Sequence, residues 1–271
     1  MTVVTLVLPR LLAVAGPARR SATMIERNVT TLRGAYWIVV LTGLLEPVLY
    51  LLSIGVGVGG LIGDLTLPGG RTVGYAAFVA PAMLAASAMT GALSETMFNF
   101  FAKMKYQKLY DGMLATPIRP IEIALGELVW AMLRGTVYAA VFLAVMVAMD
   151  LTSAARAAVA LPATVLVGFT FGALGMALST FMRSWQDFDL VGSVQFALFL
   201  FSGTFVPAQA YPVALQWLIE ITPLYRAVHL LRAISLGGLD GTHALDVAYL
   251  VILMAGGLAV ASRRMGRLLL S

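Results

Sequence analysis

The chain has 271 residues, of which 60% are apolar and only 11% charged, against about 45–50% apolar and about 25% charged in an ordinary soluble domain. So few polar side chains cannot cover so large an apolar set at this length, which excludes a soluble enzyme and demands a bilayer. With no cysteine there is no disulfide framework, thiolate metal site or cysteine nucleophile, and two histidines, His229 and His243, leave little for metal ligation.

Residues 1–20 imitate a signal peptide poorly, because no positive charge precedes the apolar run and Pro9 and Arg10 interrupt it. Over 20–34, Ile25, Val29 and Leu32 share one face with Glu26, Arg27 and Arg33 on the other. That pattern predicts an amphipathic helix lying in the membrane interface, with an ordinary solvated tail as the alternative. The first span is 35–60, with Glu46 followed by Pro47 near its middle. A charge at the centre of a span costs about 2.5–3.5 kcal/mol on insertion scales, so Glu46 should face protein, face a cavity or be protonated. Gly55, Gly57 and Gly60 match a dinucleotide motif only by accident, since they end a spanning helix instead of following a strand.

The second span is 73–98, followed by a segment over 99–115 that mixes lysines with large apolar residues. Lys103, Lys105, Tyr106, Leu109, Tyr110, Met113 and Leu114 are the candidates for docking a cytoplasmic partner, because Tyr and Met are enriched in interface cores. The competing reading is a continuation of the second span with its lysines snorkelling. Pro117 and Pro120 then break the chain, predicting a separate short helix over about 110–115. The third span, 121–149, carries Glu122, Glu127, Trp130 and Arg134. Glu127 and Arg134 lie two turns apart on one face, about 10 Å of rise, too far to pair with each other. The two glutamates read as helix-dipole partners or ion pairs, with a proton relay as the sharper alternative.

The fourth span, 157–182, contains Gly168 and Gly172 at close-packing spacing. The fifth, 190–206, stops at Pro207. Between it and the sixth span, 244–261, the segment 207–238 is apolar but broken by prolines, predicting two short re-entrant or interfacial helices over 216–222 and 224–236. Arg226, His229 and Arg232 recur there every three residues, either meeting lipid phosphates or an anionic headgroup, or simply snorkelling. The expected fold is therefore an all-α integral membrane protein, one transmembrane domain over 1–271 with six spans.

Arginine and lysine sit mostly in the N-terminal segment, in 99–119, at Arg183 and in the tail at Arg263, Arg264 and Arg267. By the positive-inside rule both termini are cytoplasmic, and the net charge of +5 needs no nucleic acid to explain it. A GxxxxGK[ST] phosphate loop is absent from the sequence, so the chain is not its own ATPase by that mechanism.

Ala115-Thr116-Pro117, then Gly126-Glu127-Leu128-Val129-Trp130 and Arg134, then Phe201-Ser202-Gly203-Thr204-Phe205-Val206-Pro207 with Pro223-Leu224 and Arg232 downstream, resemble the permease subunit of type 2 ABC exporters. The likeness covers nearly the whole chain and is to nodulation-type lipo-oligosaccharide and daunorubicin-type drug export permeases. The resemblance implies a bacterial inner-membrane subunit with a coupling helix between spans two and three, docked on a separate cytoplasmic ATP-binding cassette subunit. It further implies a second permease copy or paralogue, membrane lipids as partners, and no cofactor on this chain, with ATP and Mg on the partner. An outer gate would involve Phe205, Pro207, Arg226 and Arg232, while Glu46, Glu127, Trp130 and Arg134 would serve pathway or packing. The alternative is an ion-coupled secondary transporter, for which Glu46 is the mid-membrane acid the sequence offers.

Overall fold

The computed structural model describes residues 45, 48–66, 72–114 and 120–269. The expected interfacial helix, Glu46 and Ala115-Thr116-Pro117 lie outside them. The described part of the first span is helical from Val48, passes through a π-helical stretch, Ser53–Val58, and ends in α1 (Gly59–Ile62). Gly63, at φ +70°, turns the chain into an antiparallel ribbon of β1 (Asp64–Thr66) and β2 (Thr72–Gly74), with Leu65 opposite Val73. This ribbon departs from the all-α expectation; Thr and Val suit a short pleated pair beyond the helix end.

Helix α2 (Tyr75–Leu93) runs on through π-helical Ser94–Asn99 and Ala102–Tyr106, giving one 32-residue helix from Tyr75 to Tyr106. The expected stop at Phe98 fails because no Gly or Pro stands between Leu93 and Tyr106 to break the helix. Lys108, at φ 47°, ends it, and α3 (Leu109–Leu114) follows. Next come α4 (Pro120–Ala148) and α5 (Ala154–Ser179), the latter capped by the Ser153 hydroxyl, which accepts from the Arg156 amide. Then α6 (Asp187–Leu200), α7 (Val213–Glu220), α8 (Pro223–Leu236) and α9 (His243–Leu269) complete the described chain.

Among the described residues, four helices are long and apolar enough to cross a membrane: Tyr75–Tyr106, Pro120–Ala148, Ala154–Ser179 and His243–Arg267. The 14 residues of α6 rise only about 21 Å, short of a hydrocarbon core of about 30 Å. The fifth stretch was expected to remain helical to 206, yet its helix ends six residues earlier. Gly203 takes φ +70° there, and the buried hydroxyls of Ser202 and Thr204 hydrogen-bond each other at 2.6 Å, supporting a turn.

Helix α5 is the hub, packed against α2, α4, α8 and α9. A Cβ on Gly168 would lie 2.8 Å from Met132 Sδ, one on Gly172 2.6 Å from Leu128 Cδ1, and one on Gly175 2.5 Å from Thr96 Oγ1. The small-residue spacing expected at Gly168 and Gly172 thus extends to Gly175, and it lets α4 and α2 sit directly on the α5 backbone. At one end of the bundle lie α3, the 180–186 loop and the end of α9; the ribbon, α7 and α8 occupy the other.

Candidate functional site

At the α3 end, the lysine-rich continuation of α2 is fastened to the bundle. Lys103 Nζ pairs with Glu127 Oε2 at 2.6 Å, and Tyr110 is fully buried with its ring 5.1 Å from Phe100. Met113 packs against the core, and Leu109 is half-buried. Tyr110 therefore anchors α3 and offers no docking surface, contrary to its expected place; a phenol ring among so many apolar neighbours is drawn inward. Lys105 and Tyr106 are exposed, Tyr106 at 60%. Leu114 belongs to α3, beyond which nothing is described of its side chain.

Tyr106 stacks on Trp185 with centroids 5.6 Å apart and planes 13° from parallel, while Phe101 meets both edge-on. Lys105 Nζ donates to the Arg183 carbonyl at 3.2 Å. The loop between α5 and α6 is thus joined to the lysine segment, a link that the sequence reading missed because Trp185 lies 79 positions further along. Asp187 accepts from the Arg183 and Ser184 amides at 2.6 and 3.2 Å, and these donors hold its carboxyl below the usual carboxylate range. Arg264 of α9 ties the same loop from the other side, donating to Thr180 Oγ1 at 3.2 Å and lying over the Phe181 ring.

Within the bundle, Arg134 Nη1 pairs with Glu95 Oε1 at 3.0 Å. Helices α2 and α4 are antiparallel neighbours, so the acid-then-base order of Glu127 and Arg134 meets the acid-then-base order of Glu95 and Lys103 as two complementary pairs. The ion-pair reading of Glu127 matches this geometry. Glu95 is thus an acid within Tyr75–Tyr106, a helix long and apolar enough to cross a membrane. The sequence signal of Glu95 is a carboxylate eight residues before Lys103, nearly the seven-residue spacing of Glu127 and Arg134. Trp130 is buried between these levels of α4. A cavity of about 330 Å³ opens beside the Glu95–Arg134 pair, lined from α2, α4 and α5.

At the opposite end, Arg232 is turned into the protein, not toward lipid phosphates, an anionic headgroup or the snorkelling position. Its Nε donates to the Phe78 carbonyl at 3.1 Å, its Nη2 to the Gly203 carbonyl at 2.8 Å, and its guanidinium lies 3.8 Å from the Phe78 ring centroid. It satisfies the carbonyl that the turn after α6 exposes. Arg232→Met is expected to destabilise the protein by about 2–4 kcal/mol through two lost hydrogen bonds and a cation–π contact. Thermal unfolding in nanodiscs checks this, and an unchanged midpoint would remove Arg232 from the support of the turn. Phe205 packs edge-on against Phe199 at 5.3 Å, and Pro207 precedes the short 3₁₀ turn Ala208–Ala210.

Arg226 also has a protein partner: its Nη1 pairs with Asp246 Oδ1 at 3.1 Å, and His229 Nδ1 meets Asp246 Oδ2 at 2.7 Å. The His243 ring stacks on His229 at 4.7 Å and 15°, with its Nδ1 2.9 Å from Asp240 Oδ1. Asp240 lies below the usual carboxylate range because the Thr242 hydroxyl and then its amide donate to it. His229, His243 and Asp246 bring potential ligand atoms within 4.8 Å of one another, a grouping that two histidines so far from each other in the chain did not suggest. Both Nδ1 atoms already face carboxylates, that of His229 on Asp246 and that of His243 on Asp240, with Arg226 at the edge of the cluster.

A family model for the ABC-2 type transporter matches residues 21–236. The chain belongs to the ABC-2 type transporter family. As an ABC-2 permease it is a multi-pass membrane protein, and the matched range includes the lysine segment, both ion pairs and the Arg232 turn, while α9 lies beyond it. The permease is similar to Nodulation protein J of Rhizobium leguminosarum bv. trifolii, 33% identical over 213 residues, 78% of this chain and 79% of that protein. It is also similar to Nodulation protein J of R. leguminosarum bv. viciae, 29% identical over 89% of this chain and 93% of that one. A third, Nodulation protein J of Rhizobium meliloti (strain 1021), is 31% identical over 73% of this chain and 74% of its own length.

Proposed function

We propose that this ABC-2 permease exports a lipidic, glycolipid or amphiphilic drug-like molecule, powered by ATP hydrolysis on a separate cytoplasmic ATP-binding cassette subunit that holds ATP and Mg. It works in the bacterial inner membrane with both termini cytoplasmic, six spans, and a second copy or paralogue across the pathway. The observation that carries the reading is the lysine segment. Lys105, Tyr106, Gln107 and Lys108 are exposed, while Lys103 and Tyr110 on either side are tied to α4 and to Phe100. A partner pressing on that edge moves α2 and α4 together, because the Lys103–Glu127 pair links them. The outer turn held by Arg232, with Phe205 and Pro207 beside it, is the gate at the far end.

Co-expression with a candidate ATPase tests this. The isolated permease is expected to hydrolyse no ATP, and the complex to hydrolyse it and transport. Lys105→Glu combined with Tyr106→Asp should lower co-purification by about tenfold or more, since these charges oppose a docking surface without opening the core. Tyr110→Phe should co-purify normally. Wild-type stoichiometry with the double variant would move the docking site elsewhere. Transport driven by an imposed pH gradient without ATP would replace the reading with an ion-coupled secondary transporter.

A further inference from the structure

At the end of the bundle away from the lysine segment, the His229 ring of α8 stacks on the His243 ring of α9, and Asp246 lies one turn along α9 from His243. One ligand atom from each of these three residues falls within 4.8 Å of the other two. The hydrogen bonds decide which atoms are available. A carboxylate only accepts, so Asp240 Oδ1, at 2.9 Å and nearer than the Asp240 amide at 3.2 Å, makes Nδ1 the proton-bearing nitrogen of His243. Its Nε2 then carries the lone pair, and no group among the described residues donates to it. A carboxylate behind a histidine is the arrangement by which proteins orient an imidazole toward a metal. His229 Nδ1 and Asp246 Oδ2 already meet at 2.7 Å, while Arg226 occupies the other oxygen, Oδ1, at 3.1 Å.

We infer that His229, His243 and Asp246 form a binding site for a divalent transition ion such as Zn²⁺, which ties α8 to α9. The ion takes the place of the proton between His229 Nδ1 and Asp246 Oδ2, and that proton moves to His229 Nε2, which has no partner among the described residues. His243 adds Nε2 as the third ligand, and water completes the shell. Donors about 2.0–2.1 Å from a tetrahedral ion stand about 3.3 Å apart, so small side-chain rotations convert the present spacing into a ligand set. The donor chemistry sets the class of ion: two imidazoles with one carboxylate suit zinc, nickel or copper, whereas magnesium and calcium seek oxygen. The charge also fits, since Asp240 and Asp246 outweigh Arg226 by one when the imidazoles are neutral, as ligation requires. Entry is open, because His243 and Asp246 are buried but the His229 side chain is 43% exposed. Arg232 lies three residues along α8 from His229, so the ion fixes the helix that supports the turn after α6. Ion binding here does not depend on what the permease carries.

The test uses the tag-free, full-length permease in phosphatidylcholine nanodiscs, without ATP or an ATPase partner, with zinc chloride as the probe of stability and cobalt chloride as the probe of ligation. Saturating Zn²⁺ is expected to raise the thermal midpoint by about 3 °C or more, because an ion bound only by the folded chain shifts the unfolding equilibrium. Mg²⁺ and Ca²⁺ should leave the midpoint unchanged. Co²⁺ should develop the visible absorption of nitrogen ligation and lose it when Zn²⁺ is added. His229→Ala, at a half-exposed position, should keep its metal-free midpoint yet lose both the Zn²⁺ shift and the Co²⁺ band. Asp240→Asn should weaken Zn²⁺ binding about tenfold while retaining the Co²⁺ band, as a positioning residue does. An unchanged Zn²⁺ shift in His229→Ala, an equal shift with Mg²⁺, or no Co²⁺ band in the unsubstituted permease would overturn the site.

Discussion

Arg134→Met alone is expected to destabilise the permease by about 2–3 kcal/mol, whereas Glu95→Leu combined with Arg134→Met should recover most of that loss. Removing one partner leaves a carboxylate facing a cavity at mid-depth with no countercharge, and that uncompensated ion is the larger part of the penalty. The side chains of Arg134 and Glu95 keep 28% and 22% exposure toward that cavity, which places the effect at the lower end for buried pairs. The exchange Glu95→Arg with Arg134→Glu should restore the pair and the stability together, since it reverses the sign but not the complementarity. Unfolding of the wild type, Glu95→Leu, Arg134→Met and the Glu95→Leu/Arg134→Met double variant in the same detergent gives the coupling energy directly. Additive single effects, with no recovery in the double or exchanged variants, would show that the pair does not link α2 to α4.

Gly257→Ala is expected to cost about 2–3 kcal/mol, while Gly256→Ala at the adjacent position should change stability by less than about 0.5 kcal/mol. A Cβ on Gly257 would stand 2.9 Å from the Ala173 carbonyl carbon and 3.0 Å from its oxygen, whereas one on Gly256 meets nothing within 4 Å. Backbone atoms of α5 cannot step aside as a side chain can, so α9 must move outward along its whole contact with α5. At Gly172 the obstacle is the flexible Leu128 Cδ1, and Gly172→Ala should be milder than Gly257→Ala despite the shorter 2.6 Å approach. Equal effects at Gly256 and Gly257, read from thermal midpoints in nanodiscs, would place the α5–α9 contact elsewhere.

The predicted spans at 121–149 and 157–182 overlap α4 and α5, and 244–261 lies within α9, which runs on to Leu269, because each is a predominantly apolar stretch of helix-spanning length. The short helix expected over 110–115 is α3, and the pieces read at 216–222 and 224–236 are α7 and α8, since proline marks helix starts locally. The family was equally legible, in residues whose order and spacing the chain itself displays. Those features depend on neighbours along the sequence, and composition and periodicity determine them.

Burial and pairing depend on neighbours in space. Tyr110 reads as an interface residue until α3 is folded against Phe100, and Arg232 reads as a cation for phosphate until the turn at Gly203 places a carbonyl 2.8 Å away. Glu95 needed the antiparallel register of α2 and α4 before it met Arg134, and His229, His243 and Asp246 needed α8 set beside the start of α9. The sequence alone determined that a bilayer must cover the apolar surface and roughly where the chain crosses it, because hydrophobic burial is the dominant free energy and its pattern is local. Only the tertiary structure decided which charges are neutralised and which side chains stay exposed, because electrostatic and steric interactions act over a few ångströms between segments tens of residues apart.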